Sequence, residues 1–294
     1  MANARLASMS GPSAFKTPEG EAAFLAAYDA AMKLWRVPFE EMDIPTPFGM
    51  THVVVSGPKD APPLVLLHGY WATSTMWAPN IADFSKDYRV YAVDVMGQPS
   101  KSIPAEPIRD AADYSAWLTA TLDALHLDSV CFVGMSFGGW LALNSAVAAP
   151  ARLRKLVLLS PGGFLPMVRQ FSLRGMLMVI VPARFTVNSF MRWLGITATN
   201  AWPVLELMYH GLKHFRVPPE TARVMPTVFS DEELDDIRGT LDTVLPPVAD
   251  DEDDDLSDAE RRALHEALST SWKSAEAGHL RPGSATLNEL RQRR

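Results

Sequence analysis

The stretch SVCFVGMSFGGW, residues 129–140, carries the most structural information in the chain. Ser129 to Gly134 is a short apolar run with a β-branched start, which suits a strand buried on both faces. Phe137 to Ala149 has helical character, and the two meet at Gly134-Met135-Ser136-Phe137-Gly138-Gly139. A serine on so abrupt a strand-to-helix turn takes a strained backbone conformation, and small residues at 134 and 138 are what keep turn, strand and helix from colliding. The hydroxyl of Ser136 then projects outward. The first helical turn behind it aims unpaired amides and the positive dipole end toward the same point, an arrangement suited to a developing oxyanion.

Outward from this turn, apolar runs recur at 64–69 (LVLLHG), 89–95 (RVYAVDV) and 155–160 (KLVLLS), separated by amphipathic stretches such as Tyr114 to Leu127. Strands that lack polar alternation and are joined by helical crossovers belong in a parallel sheet covered on both sides. The expectation is a doubly wound, mostly parallel α/β fold. Upstream, Thr17-Pro18-Glu19 has the form of a helix start, with a hydroxyl cap, proline at the first position and acid in the first turn. That helix is expected to run to about Trp35. Glu40 to Thr46 and Met50 to Gly57, around Pro47-Phe48-Gly49, read as a hairpin.

From about Gly162 to Phe229 strands stop and Met, Trp, Phe and Pro become frequent, among them Met176, Met178, Met191, Trp193, Trp202, Met208 and Phe215. Such residues suit a helical cap over a pocket. Asp250 to Asp255 is an unbroken acidic run, preceded by Pro246-Pro247 where a further buried strand would be wanted. Four regions are therefore expected: 1–47, an N-terminal helix and first strand; 48–161, the core with the serine turn; 162–230, the helical cap; and 231–294, an acidic C-terminal part of the core, degenerate or disordered in places.

Composition narrows the function. The chain has 294 residues, 27 Lys and Arg against 34 Asp and Glu, and a net charge of −7, with no basic cluster to meet a phosphate backbone. No nucleic-acid partner is expected. The single cysteine, Cys131, excludes an internal disulfide and a multi-thiolate zinc site, and reads as buried filler. Neither a secretory signal nor a membrane span is visible, since the most apolar short run, 175–181, is far short of the roughly 20 residues needed to cross a bilayer. The expected location is cytoplasmic.

These motifs resemble the α/β-hydrolase fold family, and in particular capped bacterial serine esterases, over roughly residues 48–165. The resemblance implies a serine hydrolase that cleaves a carboxylic ester or related acyl substrate through an acyl-enzyme, with no cofactor and no metal, its partner a small apolar acyl molecule. Ser136 would be the nucleophile. The amides of Tyr70, in LVLLHGYW, and Phe137 would form the oxyanion hole, and Trp71, Trp193 and Trp202 would contact substrate. His68 would be structural, and Asp94, in DVMGQPSKS, a loop organiser. The family's final Gly-His resembles Gly278-His279, which makes His279 the base. Family spacing counted back from it, after a strand around Val244 and Leu245, points to Asp250 as the acid, with Asp251 and Asp253 as alternates.

Other histidines fit worse: His52 lies in a strand, His126 follows a helix, and His265 sits in the acidic tail. His210 and His214 share a helix face but lack a third metal ligand at usable spacing. The C-terminal region departs from the family pattern, because residues 273–277 lack the apolar content of a buried strand. The competing expectation is a non-catalytic homologue that binds a small apolar ligand around Ser136 without a working acid–histidine pair. Labelling by a serine-directed phosphonate separates the two.

Overall fold

The computed structural model describes residues 14–164, 169–196, 202–226 and 228–244. Helix α1 (Pro18–Met32) starts as its sequence predicts, with the Thr17 side chain accepting from the Gly20 amide, but it ends three residues before Trp35. Strands β1 (Phe39–Thr46) and β2 (Gly49–Ser56) form the expected hairpin. Gly49 has φ +130°, and a Cβ there would lie 2.1 Å from the Ile103 carbonyl oxygen, so this turn tolerates only glycine.

Next come β3 (Pro63–Leu67), α2 (Ile81–Asp87), β4 (Arg89–Val93), the short β5 (Ile103–Pro104), α3 (Ala111–Ala124), β6 (Val130–Met135), α4 (Phe137–Ala148) and β7 (Leu153–Leu159). The seven-stranded sheet has the order β1-β2-β4-β3-β6-β7, with β5 beside β2. β4, β3, β6 and β7 are parallel, and β1 and β2 are antiparallel. The fold class is thus a mixed α/β sheet flanked by helices.

Two-sided burial explains the unbroken apolar runs of β3, β4 and β6; β7 departs from the expectation, with Val157 and Leu159 exposed on one face. Val53, Val55, Val65, Leu67, Val93 and Phe132 pack into one core with Trp117, Phe137 and Trp140 of α3 and α4. The intervening Val54, Leu64, Leu66, Ala92, Cys131 and Val133 pack into a second core with Phe24, Tyr28 and Ile81 of α1 and α2. Alternate residues of one strand serve opposite cores, so neither face leaves a place for polar residues.

Beyond β7 come α5 (Arg169–Ile180), α6 (Arg184–Trp193), α7 (Trp202–His214), α8 (Pro219–Ala222) and α9 (Asp231–Val244). α5, α6 and α7 have their own small core of Met178, Val187, Phe190, Met191, Met208 and Tyr209. α7 also packs on α1, where Gly20 faces His214 and Gly211 faces Phe24 and Pro99. The Lys16 amide donates to the His214 carbonyl and that of Arg216 to Ala14, so the N-terminal segment ties these helices to the sheet.

The strand expected around Val244 is replaced by the end of α9. A capping box starts this helix: the Glu233 amide donates to Ser230 Oγ at 3.2 Å while the Ser230 amide donates to Glu233 Oε2 at 2.7 Å.

His126 closes α3 in the left-handed region, at φ 57°, with the Leu127 amide donating back to the Leu122 carbonyl. This is the position that favours glycine after a helix, and the side chain is exposed. His126→Gly is expected to raise stability by about 0.5–1 kcal/mol in chemical denaturation; an unchanged or lower midpoint would contradict the reading.

Candidate active site

Ser136 adopts φ 52° and ψ −113° between β6 and α4. For a non-glycine residue this costs about 1–3 kcal/mol, so the surroundings must impose it. They do so through its own backbone. Its amide donates to the Leu159 carbonyl at 2.9 Å, and its carbonyl accepts from the Gly162 amide at 3.0 Å and the Trp140 amide at 3.1 Å. The end of β7, the following turn and the first turn of α4 therefore all hold the same peptide pair.

The glycines make that crowding feasible. A Cβ on Gly134 would sit 2.4 Å from the Gly138 carbonyl oxygen, and one on Gly138 would sit 2.1 Å from that of Leu67. Both contacts are with backbone, which cannot swing aside. Gly69 is different: a Cβ there would meet the Ser136 Cβ at 3.7 Å, an ordinary contact that places the β3 loop beside the serine.

Tyr70 and Trp71 continue that loop. The rings of Tyr70 and Phe137 meet edge to face, with centroids 5.0 Å apart, so the two residues expected to supply oxyanion amides are neighbours. Among the described residues no acceptor takes the Tyr70 or the Phe137 amide. The Trp71 amide, by contrast, donates to Gln98 Oε1 at 3.3 Å, and Trp71 itself has φ 57°. Gln98, 1% exposed, thus holds the turn that presents Tyr70. It lies inside the DVMGQPSKS segment, but residue type alone does not mark it.

His68 and Asp94 are locked into structural roles. The Val95 amide donates to His68 Nε2 at 2.9 Å, so that nitrogen carries no proton, and Nδ1 donates to the Gly69 carbonyl at 2.8 Å. Burial pushes the imidazole pKa below its usual 6.5, against the opposing pull of the Asp94 charge. Asp94 accepts from the Ser74 amide at 2.8 Å and from the Lys101 amide at 3.0 Å, and its carbonyl accepts from Ser102 Oγ. Every polar atom of the pair that could serve chemistry is occupied by backbone or loop.

A cavity of about 270 Å³ opens beside Ser136. Tyr70, Trp71, Met76 and Phe137 line it from the sheet side, and Phe171, Phe190, Met191 and Met208 from the cap helices. Among the described residues no charged side chain lines it. Trp193 is not among its lining residues; it stacks on Phe190 and tilts against Phe171 from behind. The lining methionines and phenylalanines were legible only as a compositional shift, since sequence does not say which side of each helix faces inward. The side chain of Trp202, together with His279, Asp250, Asp251, Asp253 and His265, lies outside the described residues.

No group of three or more His, Cys, Asp or Glu side chains among the described residues is placed to hold a metal. His210 and His214 stack face to face at 5.7 Å, and Glu206 is 3.7 Å from His210. Cys131 is a buried free thiol. His52 bridges Asp43 at 2.8 Å and Glu41 at 3.1 Å. Burial alone would depress its pKa, but the Asp43 hydrogen bond and the nearby carboxylate charges prevail and raise it above 6.5.

The two buried histidines should therefore titrate on opposite sides of 6.5. As pH falls below 6.5, the unfolded chain takes up a proton that folded His68 refuses, so its share of stability is full above that pH and lost on acidification. The share of His52 is full below 6.5 and lost as pH rises through its folded pKa. Imidazole NMR at pH 6.5 should show a larger protonated fraction at His52 than at His68; the reverse order would refute the hydrogen-bond assignment.

Comparison with known proteins places this geometry among relatives. Residues 64–286 match the model of the alpha/beta hydrolase family. An uncharacterized carboxylesterase, nap, of Bacillus subtilis (strain 168) is 37% identical over 216 residues, covering 72% of this chain and 71% of that protein. The carboxylesterase YbfK of the same organism is 34% identical over 232 residues, covering 76% of each chain. The crystal structure of naproxen esterase (carboxylesterase NP) from Bacillus subtilis superposes with a TM-score of 0.69 at 34% identity, over 76% of this chain and 79% of that one. With the family model matched over residues 64–286 and relatives at 34–37% identity aligned over more than two thirds of the chain, this chain belongs to the alpha/beta hydrolase family.

Proposed function

We propose that this protein hydrolyses uncharged carboxylic esters through an acyl-enzyme on Ser136. The observation that carries the reading is a serine in a left-handed backbone conformation, pinned by three hydrogen bonds at a strand–helix turn, opening onto a cavity that has no charged lining among the described residues. Relatives that carry the name carboxylesterase support the reaction class.

In this reading Ser136 Oγ attacks the ester carbonyl carbon as a base takes its proton. The carbonyl oxygen becomes the oxyanion, held by the amides of Tyr70 and Phe137, where preorganised donors lower the barrier more than flexible water could. Collapse expels the alcohol, which receives the proton, and water then attacks the acyl-enzyme by the same route. His279 is proposed as the base and Asp250 as the acid that orients it, both on family resemblance. The apolar, methionine-rich cavity favours a hydrophobic acyl or alcohol part, because a carboxylate or ammonium there would lose its hydration without a partner.

Ser136→Ala should lower kcat/KM on a short p-nitrophenyl ester by about a thousandfold or more, and abolish labelling by a serine-directed phosphonate, with the circular dichroism spectrum unchanged. His279→Ala should cause a comparable loss. Unchanged turnover in either variant would remove that residue from the mechanism, and a wild-type protein inert to phosphonate would point to an apolar-ligand binder.

The cavity makes a separate demand. Met191→Trp, which narrows it from the cap side, should lower kcat/KM on long or bulky esters about tenfold while sparing acetate, because remote apolar contacts bind the substrate body. Equal losses on all chain lengths would instead indicate a collapsed cap.

A further inference from the structure

The outward side of the α5–α6 hairpin reverses the usual polarity of a surface helix. Apolar residues at positions i, i+3, i+4 and i+7 normally face the core. In α5 that spacing is filled by Leu173, Met176, Leu177 and Ile180, and all four face solvent, with Ile180 68% exposed. The buried positions are instead Gly175, which lies against Trp71, and Met178. Val181 and Phe185, itself 68% exposed, extend the apolar surface onto the start of α6. A contiguous apolar surface of this kind is larger than scattered exposure requires and marks an interaction site.

Charge identifies the partner. Residues 169–196 contain Arg169, Arg174, Arg184 and Arg192 and no acidic residue, in a chain whose net charge is −7. All four arginines are exposed: Arg169 and Arg174 lie on α5 with the apolar stripe, and Arg184 adjoins Phe185. Arg184 pairs with Glu206 of α7, and Arg174 lies over the Trp193 ring. An apolar band with a cationic rim is the pattern that seats a helix in the headgroup region of an anionic bilayer. A symmetric pairing of two copies through this face would oppose like arginines. The hairpin does not span: no described helix is long and apolar enough to cross a membrane.

We propose that the α5–α6 hairpin docks this protein on anionic lipid surfaces, apolar side chains inserted at the interface and arginines among the headgroups. Phe171 of α5 and Phe190 of α6 line the cavity beside Ser136, so docking sets the cavity roof on the lipid, where apolar molecules concentrate. The binding claim needs no turnover and stands apart from the esterase reading.

The test is sedimentation of the full chain with phosphatidylcholine vesicles, with and without phosphatidylglycerol. Retention is expected only with phosphatidylglycerol, and is expected to fall with salt. Leu177→Glu with Ile180→Glu should weaken retention at least about tenfold, while hydrolysis of a small water-soluble ester stays at the wild-type rate. Arg169→Gln with Arg174→Gln, which leaves the apolar face in place, should weaken it about tenfold, with the circular dichroism spectrum unchanged. Absence of retention on the anionic vesicles would overturn the proposal, as would retention that both pairs leave unchanged. A dimer seen by sedimentation velocity and split by the glutamate pair, without vesicle retention, would assign the face to a second copy instead.

Discussion

The backbone of Ser136 is the constraint on which the site depends. Its left-handed conformation is unfavourable for any residue with a side chain, and it persists because its amide and carbonyl are committed to three partners from three different segments. Those partners exist only when β6 and β7 pair in register and α4 lies close over the end of β3. Gly134 and Gly138 permit that approach, since each faces backbone oxygen at distances that no Cβ could occupy. Local strain is thus maintained by long-range pairing, and the hydroxyl takes its position from the sheet more than from its immediate neighbours.

The same logic extends to the loop after β3. Asp94 and His68 contribute nothing to the cavity, yet between them they tie β3, β4 and the 69–76 segment together through backbone amides. Gln98 adds a bond to Trp71, whose left-handed φ needs the same kind of support as Ser136. The two strained residues, 71 and 136, flank the place where the Tyr70 and Phe137 rings meet. In the proposed mechanism, charge that develops briefly benefits from donors that do not have to reorganise, and this scaffold holds the Tyr70 and Phe137 segments by backbone.

Above the sheet, the cap helices divide their side chains among three tasks. Met178, Val187 and Tyr209 join the helices to one another; Phe171, Phe190, Met191 and Met208 face the cavity; and the Leu173–Ile180 stripe faces out. α7 carries the load of attachment through its packing on α1. The cavity is consequently bounded by the sheet side and by a smaller unit with its own core.

Much of this was determined by the amino-acid sequence alone. Unbroken apolar runs between helical stretches specify strands covered on both faces, because alternate side chains must both be buried. The Gly-x-Ser-x-Gly turn between strand and helix specifies the strained serine, because only that spacing of small residues lets the segments approach. His68 and Asp94 were legible as structural from their motifs. The strand that family spacing placed around Val244 and Leu245 does not form at Val244, because the Ser230–Glu233 capping box starts a helix that includes it. Tertiary structure alone decided which cap residues face inward. Trp193 and Phe190 lie one turn apart on α6, yet only Phe190 reaches the cavity, and the most hydrophobic stripe of α5 points away from the core. A helix has two or more faces that can satisfy one composition, and the choice among them is made by what packs against it; here Gly175, beside Trp71, and Met178 face inward while the apolar stripe faces out.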